Sequence, residues 1–264
     1  MAKNKRKNKS SYLITILLIL GFLTIFTWII TQTDLAGNTQ SRPVLLTPTP
    51  TLTPIPLPTF TPTPIPTPVI LQTVNYSVPF TSQAPSGQWS DSRFQDGCEE
   101  ASSLMAMKWV RGETFTPGEA ERELIQMAAF QDENYYTHVD TSAQDTIDRI
   151  FVGYLMYNQV ELKTVNSWQD IAEELVGGNL VITPANGQLL NNPNFTPPGP
   201  ERNMVLVIGY DSQTQEFVTN DPGTRKGANF RYPVSSFYNA IRDYKSGEHL
   251  PIMGNSKVMI VVSK

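Results

Sequence analysis

With 264 residues, the chain is long enough for a proper hydrophobic core, but its 20 Lys and Arg and 24 Asp and Glu are spread very unevenly. Fourteen of the basic and twenty-three of the acidic residues lie after residue 68, a formal charge of −9 that argues against nucleic acid as a partner of that part. A single cysteine, Cys98, rules out an internal disulfide.

The first eleven residues form a basic tail, with Lys3, Lys5, Arg6, Lys7 and Lys9 and no acid. Residues 12–31 follow as an apolar run, charge-free from Tyr12 to Ile30 and close to the ~20 residues needed to cross a bilayer. The spacing predicts a single transmembrane helix, with the basic flank cytoplasmic and the rest extracytoplasmic; a cleaved signal peptide is the alternative. Residues 32–70 are rich in Pro and Thr, and ten of the chain's 21 prolines fall between Pro43 and Pro68. Proline at this density prevents helix and central strand and favours an extended polyproline rod, which over 26 residues reaches on the order of 80 Å.

Residues 71–264 read as one domain. The first helix starts at Cys98 and ends at Gly112, with Ala101, Leu104 and Met105 on an apolar stripe. Thr116-Pro117 announces a second, through Glu119–Ala129, and Asp140-Thr141-Ser142 a third, with Ile147, Ile150, Phe151 and Tyr154 on one face. A fourth begins at Asn166-Ser167, where Asp170 closes a capping box, and stops at Gly177-Gly178. The pattern then turns strand-like at Leu180–Thr183, Met204–Tyr210, Glu216–Asn220 and Lys257–Ser263, with a last helix over Val234–Tyr244. Between the first two strands runs a polar, Pro- and Asn-rich segment expected as a long loop. Helices first and antiparallel strands second predict an α+β domain of two lobes.

Cys98 is the candidate nucleophile. A thiol at a helix N-terminus meets the positive end of the backbone dipole, which favours thiolate; the bland alternative is a small buried apolar residue, to which the neighbouring Glu99 and Glu100 speak against. A thiol hydrolase also needs an oxyanion donor, a base and a group that orients the base. Gln83 and the Cys98 N–H supply the first, and Asp221, in the turn after a strand, supplies the last. The base belongs at the head of MVLVIGYD, where the chain has Asn203. His138 and His249 both read as solvated loop residues, with His138 the candidate substitute base. No GxxxxGK[ST] motif and no His/Cys spacing for a metal are present, so an ATP-driven exporter and a zinc hydrolase are set aside and no cofactor is expected. Glu99 and Glu100, consecutive on a helix, do not suit a glycosidase pair.

The blocks VPFTSQAPSGQW, DGCEEASSLMAM, DTSAQDT, GPERNMVLVIGYD and FVTNDPGT together resemble the bacterial family 39-like cysteine peptidases, relatives of the bacteriocin-processing double-glycine peptidases, from about Val78 to Lys264. The resemblance implies a papain-like fold, Cys98 as nucleophile, Gln83 as oxyanion donor and Asp221 as the orienting group, acting on a peptide or protein. It also implies histidine where this chain has Asn203. An amide has no nitrogen that takes a proton near neutral pH; the reading is a membrane-anchored, extracytoplasmic cysteine peptidase-like protein acting on peptide bonds through the Cys98 thiolate, with a pseudopeptidase that binds a peptide or cell-envelope ligand without cutting it as the alternative.

Overall fold

The computed structural model describes residues 72–264. The expected membrane span and the Pro/Thr-rich stretch lie outside them; among the described residues no helix is long and apolar enough to cross a membrane. The domain is a mixed helix and antiparallel-sheet fold. In chain order its elements are β1 (Val74–Asn75), α1 (Ser92–Gln95), α2 (Cys98–Arg111), α3 (Pro117–Tyr135), α4 (Ala143–Asp145) continuing as a π-helix (Thr146–Tyr154), β2 (Val160–Thr164), α5 (Trp168–Val176), β3 (Leu180–Ala185), α6 (Gly187–Leu190), β4 (Asn203–Asp211), β5 (Glu216–Asn220), β6 (Phe230–Pro233), α7 (Val234–Ala240) and β7 (Val258–Val262).

The strands form one antiparallel sheet in the order β2-β7-β3-β4-β5-β6, with β1 added to the far half of β4. Side chains alternate across it with period two. From β4, Met204, Leu206 and Ile208 enter the core shared with Ala101, Leu104 and Met105 of α2. Val205 and Val207 enter a second core on the opposite face, with Ile171 and Leu175 of α5 and Phe237 of α7. Each such aliphatic side chain stabilises by about 1.5–3 kcal/mol when fully buried, and a one-residue slip of β4 would exchange the two faces. Register is therefore tightly specified, which matters because Asn203 is the first residue of that strand.

Helix ends follow local chemistry. Thr116 and Glu119 close a capping box at α3, Ser167 and Asp170 another at α5, and Gly112 takes a left-handed φ of 67° after α2. Several expectations need correction. Two helices, α5 and α7, cover the far face of the sheet, so helices are not confined to one N-terminal lobe. The third helix is π-helical, with Leu155 N–H bonded to Ile150 C=O, although Ile147, Ile150 and Phe151 are buried as its spacing predicted. The last helix stops at Ala240, because Ile241 and Arg242 turn back to pair with the end of β3. β1, β2 and β6 are short or partly exposed strands without a clean alternation, and the expected long loop holds the end of β3 and α6.

Candidate active site

Cys98 opens α2 after Gly97, where a side chain would be forced to 2.7 Å from the carbonyl of Arg93; only glycine lets α1 run this closely into α2. One helical turn beyond Cys98, the Ser102 hydroxyl donates to the carbonyl of Met204 at 2.8 Å, which fastens this face of α2 to the head of β4. Asn203 therefore starts its strand beside the α2 N-terminus. On the other edge β5 ends at Asn220, and Asp221 follows.

Asn203 Nδ2 donates to Asp221 Oδ1 at 3.0 Å. The same carboxylate accepts from Tyr232 Oη at 2.6 Å, Gly223 N at 3.0 Å and Asn192 Nδ2 at 3.4 Å. Burial raises the Asp221 carboxyl, and these four donors oppose the rise. The predicted orienting group thus faces the predicted base position, but the residue there is only a donor to it. Its carbonyl, Asn203 Oδ1, is buried and has no hydrogen-bond partner among the described residues.

The Cys98 expectation is corrected in sign. Its side chain is buried, and so are Glu99 and Glu100, each only 1 % exposed. Cys98 Sγ donates to Glu99 Oε2 at 3.2 Å. Burial and then the charges of Glu99 and Asp140 push the thiol well above its ordinary value, against the direction in which a helix N-terminus acts. Glu99 is held by Tyr244 Oη at 2.7 Å and Thr141 N at 3.1 Å, both on Oε1. Burial and the charge of Asp140 push it up to about 8. Asp140 is itself raised to about 6 by burial and by Asp96.

Gln83 sits beside the Asp221 turn, with its N–H on the carbonyl of Pro222 at 3.0 Å. Its side-chain amide, however, donates to Phe94 O and Gln95 O, both at 2.8 Å, so neither hydrogen is directed at an oxyanion. His138 pairs with Asp132 at 2.8 Å near the end of α3 and has no described contact with Cys98. His249 is not merely solvated: its Nε2 lies 3.0 Å from Asp96 Oδ1 and 3.5 Å from Asp140 Oδ2. These three residues gather metal-ligating atoms within 4.8 Å, a grouping their spacing in sequence does not announce. Arg202 Nε stands 3.6 Å from Asp140, so positive charge is already present there and the group reads as an ion-pair network.

The model of the Peptidase_C39 like family matches residues 76–248, which include Gln83, Cys98, Asn203 and Asp221. The chain belongs to the Peptidase_C39 like family. A crystal structure from Bacillus anthracis, provisionally assigned as a C39-like peptidase, shares 17% identity with this C39-like chain over 73% of it and 98% of the other, at a TM-score of 0.46. No curated protein matches the chain. Tyr232, Asn192, Tyr244 and Thr141 were missed from sequence: the first three carry no motif, whereas Thr141 lies inside the DTSAQDT block and was legible there.

Proposed function

We propose that this C39-like domain is a pseudopeptidase: it engages peptides near the Cys98, Asn203 and Asp221 cluster without the acyl-transfer chemistry of a cysteine peptidase. One observation carries the reading, the Asn203 Nδ2 donation to Asp221 at 3.0 Å. In a working relay the residue between nucleophile and carboxylate must take a proton, and an amide cannot. Loss of the base from a coupled triad costs on the order of 10⁴ or more in rate. The protonated, buried thiol and the engaged Gln83 amide support the same reading. The apolar run at residues 12–31 and the Pro/Thr stretch after it support membrane anchoring on the extracytoplasmic side, with the domain held away from the bilayer.

The test is cleavage of a peptide library by the full chain, read by mass spectrometry beside the Cys98→Ala and Asn203→His variants. No Cys98-dependent product is expected from the natural chain. Cleavage that Cys98→Ala abolishes would overturn the proposal and establish the peptidase reading, which the position of Cys98 at the head of a helix favours.

A further inference from the structure

Arg225 and Lys226, on the turn after Asp221, make no ion pair with any described residue, although the domain is strongly acidic. Arg93, Lys108, Arg149, Lys163 and Arg231 each hold a carboxylate, and among the cations that do not, Arg225 and Lys226 are consecutive and line one cleft. Arg225 is laid across Gly87, where even a methyl group would stand 1.5 Å from its guanidinium nitrogen. On one side of it is a cleft of about 420 Å³ bounded by Trp89, Asn194, Gly223 and Lys226. On the other is a smaller cleft of about 270 Å³ whose walls include Phe80, Phe115 and Pro117. Neither is lined by an Asp or Glu.

The larger cleft backs directly onto the site. Gly223 lines the cleft, and a Cβ there would crowd Phe195 at 3.1 Å, Asp221 Oδ1 at 3.2 Å and Asn203 Oδ1 at 3.3 Å, the last being the buried acceptor that has no donor among the described residues. Unpaired cations on an acidic domain create a local field of the opposite sign to the net charge, which selects an anionic ligand from solution. An aromatic wall on one side and an apolar cleft on the other suit side chains of a peptide rather than an inorganic anion.

We propose that the two clefts, joined across Arg225, hold an extended peptide with acidic side chains, its carboxylates on Arg225 and Lys226 and a large apolar side chain in the smaller cleft. The inference rests on the peptide-binding reading above and names its ligand class.

The experiment uses the full chain and three fluorescein-labelled hexapeptides, Ala-Glu-Phe-Glu-Ala-Ala and its counterparts with Gln or Lys for both Glu residues, read by fluorescence anisotropy. The Glu peptide should bind about tenfold more tightly than the Gln peptide, as two partly exposed ion pairs allow, and the Lys peptide most weakly. In an Arg225→Gln/Lys226→Gln double variant the preference should fall below about twofold, with thermal unfolding unchanged because both side chains are exposed. Equal affinity for the Glu and Gln peptides, or a preference that survives the double substitution, overturns the acidic-ligand proposal while leaving peptide binding in place. If none of the three peptides binds, the peptide-binding reading falls and takes this inference with it.

Discussion

Replacing Glu99 with glutamine tests whether the thiol is suppressed by its neighbour's charge. Glu99 Oε2 lies 3.2 Å from Cys98 Sγ, and the carboxyl titrates at about 8. Two unit charges at that distance repel by about 5 kcal/mol at an effective dielectric near 20, more than a thousandfold in thiolate fraction. The size of the effect depends on pH. Below about pH 7 Glu99 is protonated and neutral, so Glu99→Gln should change little. Above pH 8 the natural chain carries a carboxylate that holds the thiol proton, and the variant does not. Second-order rates of alkylation by iodoacetamide should agree within about threefold at pH 6.5 and diverge at pH 9.5, with Glu99→Gln at least tenfold faster. Mass spectrometry of the modified chain gives the rates directly. Parallel profiles up to pH 9.5 would refute the account of the raised thiol, and a slower variant would make Glu99 the thiol's proton acceptor instead.

Two further outcomes follow from the same buried groups. Asp140 and Glu99 have carboxyls raised to about 6 and about 8, above ordinary carboxylate values, so the folded state retains protons that the unfolded chain releases near pH 4. The stabilisation is complete below about pH 4 and is lost as pH rises through 6 and then 8; the melting temperature should fall between pH 5 and 9, and Glu99→Gln should flatten the upper part of that fall. Asp221→Asn keeps the shape but cannot accept from all four donors, leaving buried hydrogens on Asn203 or Tyr232 unpaired; urea denaturation should show a loss of about 2–4 kcal/mol, and an unchanged midpoint would mean the cluster is not structural.

The sheet was legible wherever burial on both faces wrote continuous apolar runs, as in Met204–Tyr210, and helix starts were legible wherever a cap had two partners, as at Thr116 and Ser167. β2 and β6 escaped because they lie toward the ends of the strand order and mix Lys, Arg, Thr and Pro into short runs, so neither period dominates. At the site, the pairing of position 203 with Asp221 was readable because both flank strands whose order follows from the blocks. The protonation of Cys98 was not. Local rules see a helix N-terminus and two acids that ought to face water. What buries Glu99 is Thr141 and Tyr244, far along the chain, and no local pattern encodes that burial.

β1 carries a mechanical consequence. The described domain begins just ahead of Val74, which pairs with Tyr210, while Asn203 stands at the opposite end of the same strand. Seven residues of extended chain separate the two by about 23 Å. Tension applied ahead of Val74 is therefore borne first by the two-residue β1 ladder and the Tyr76 N–H bond to Ile208 O at 2.9 Å just beyond it. Load passing β1 would next reach the stretch that follows it, where Asn220 Nδ2 donates to Val78 O at 3.3 Å and Pro79 O at 3.4 Å and Gln83 N donates to Pro222 O at 3.0 Å, so this end of the domain leads straight to the Asp221 turn.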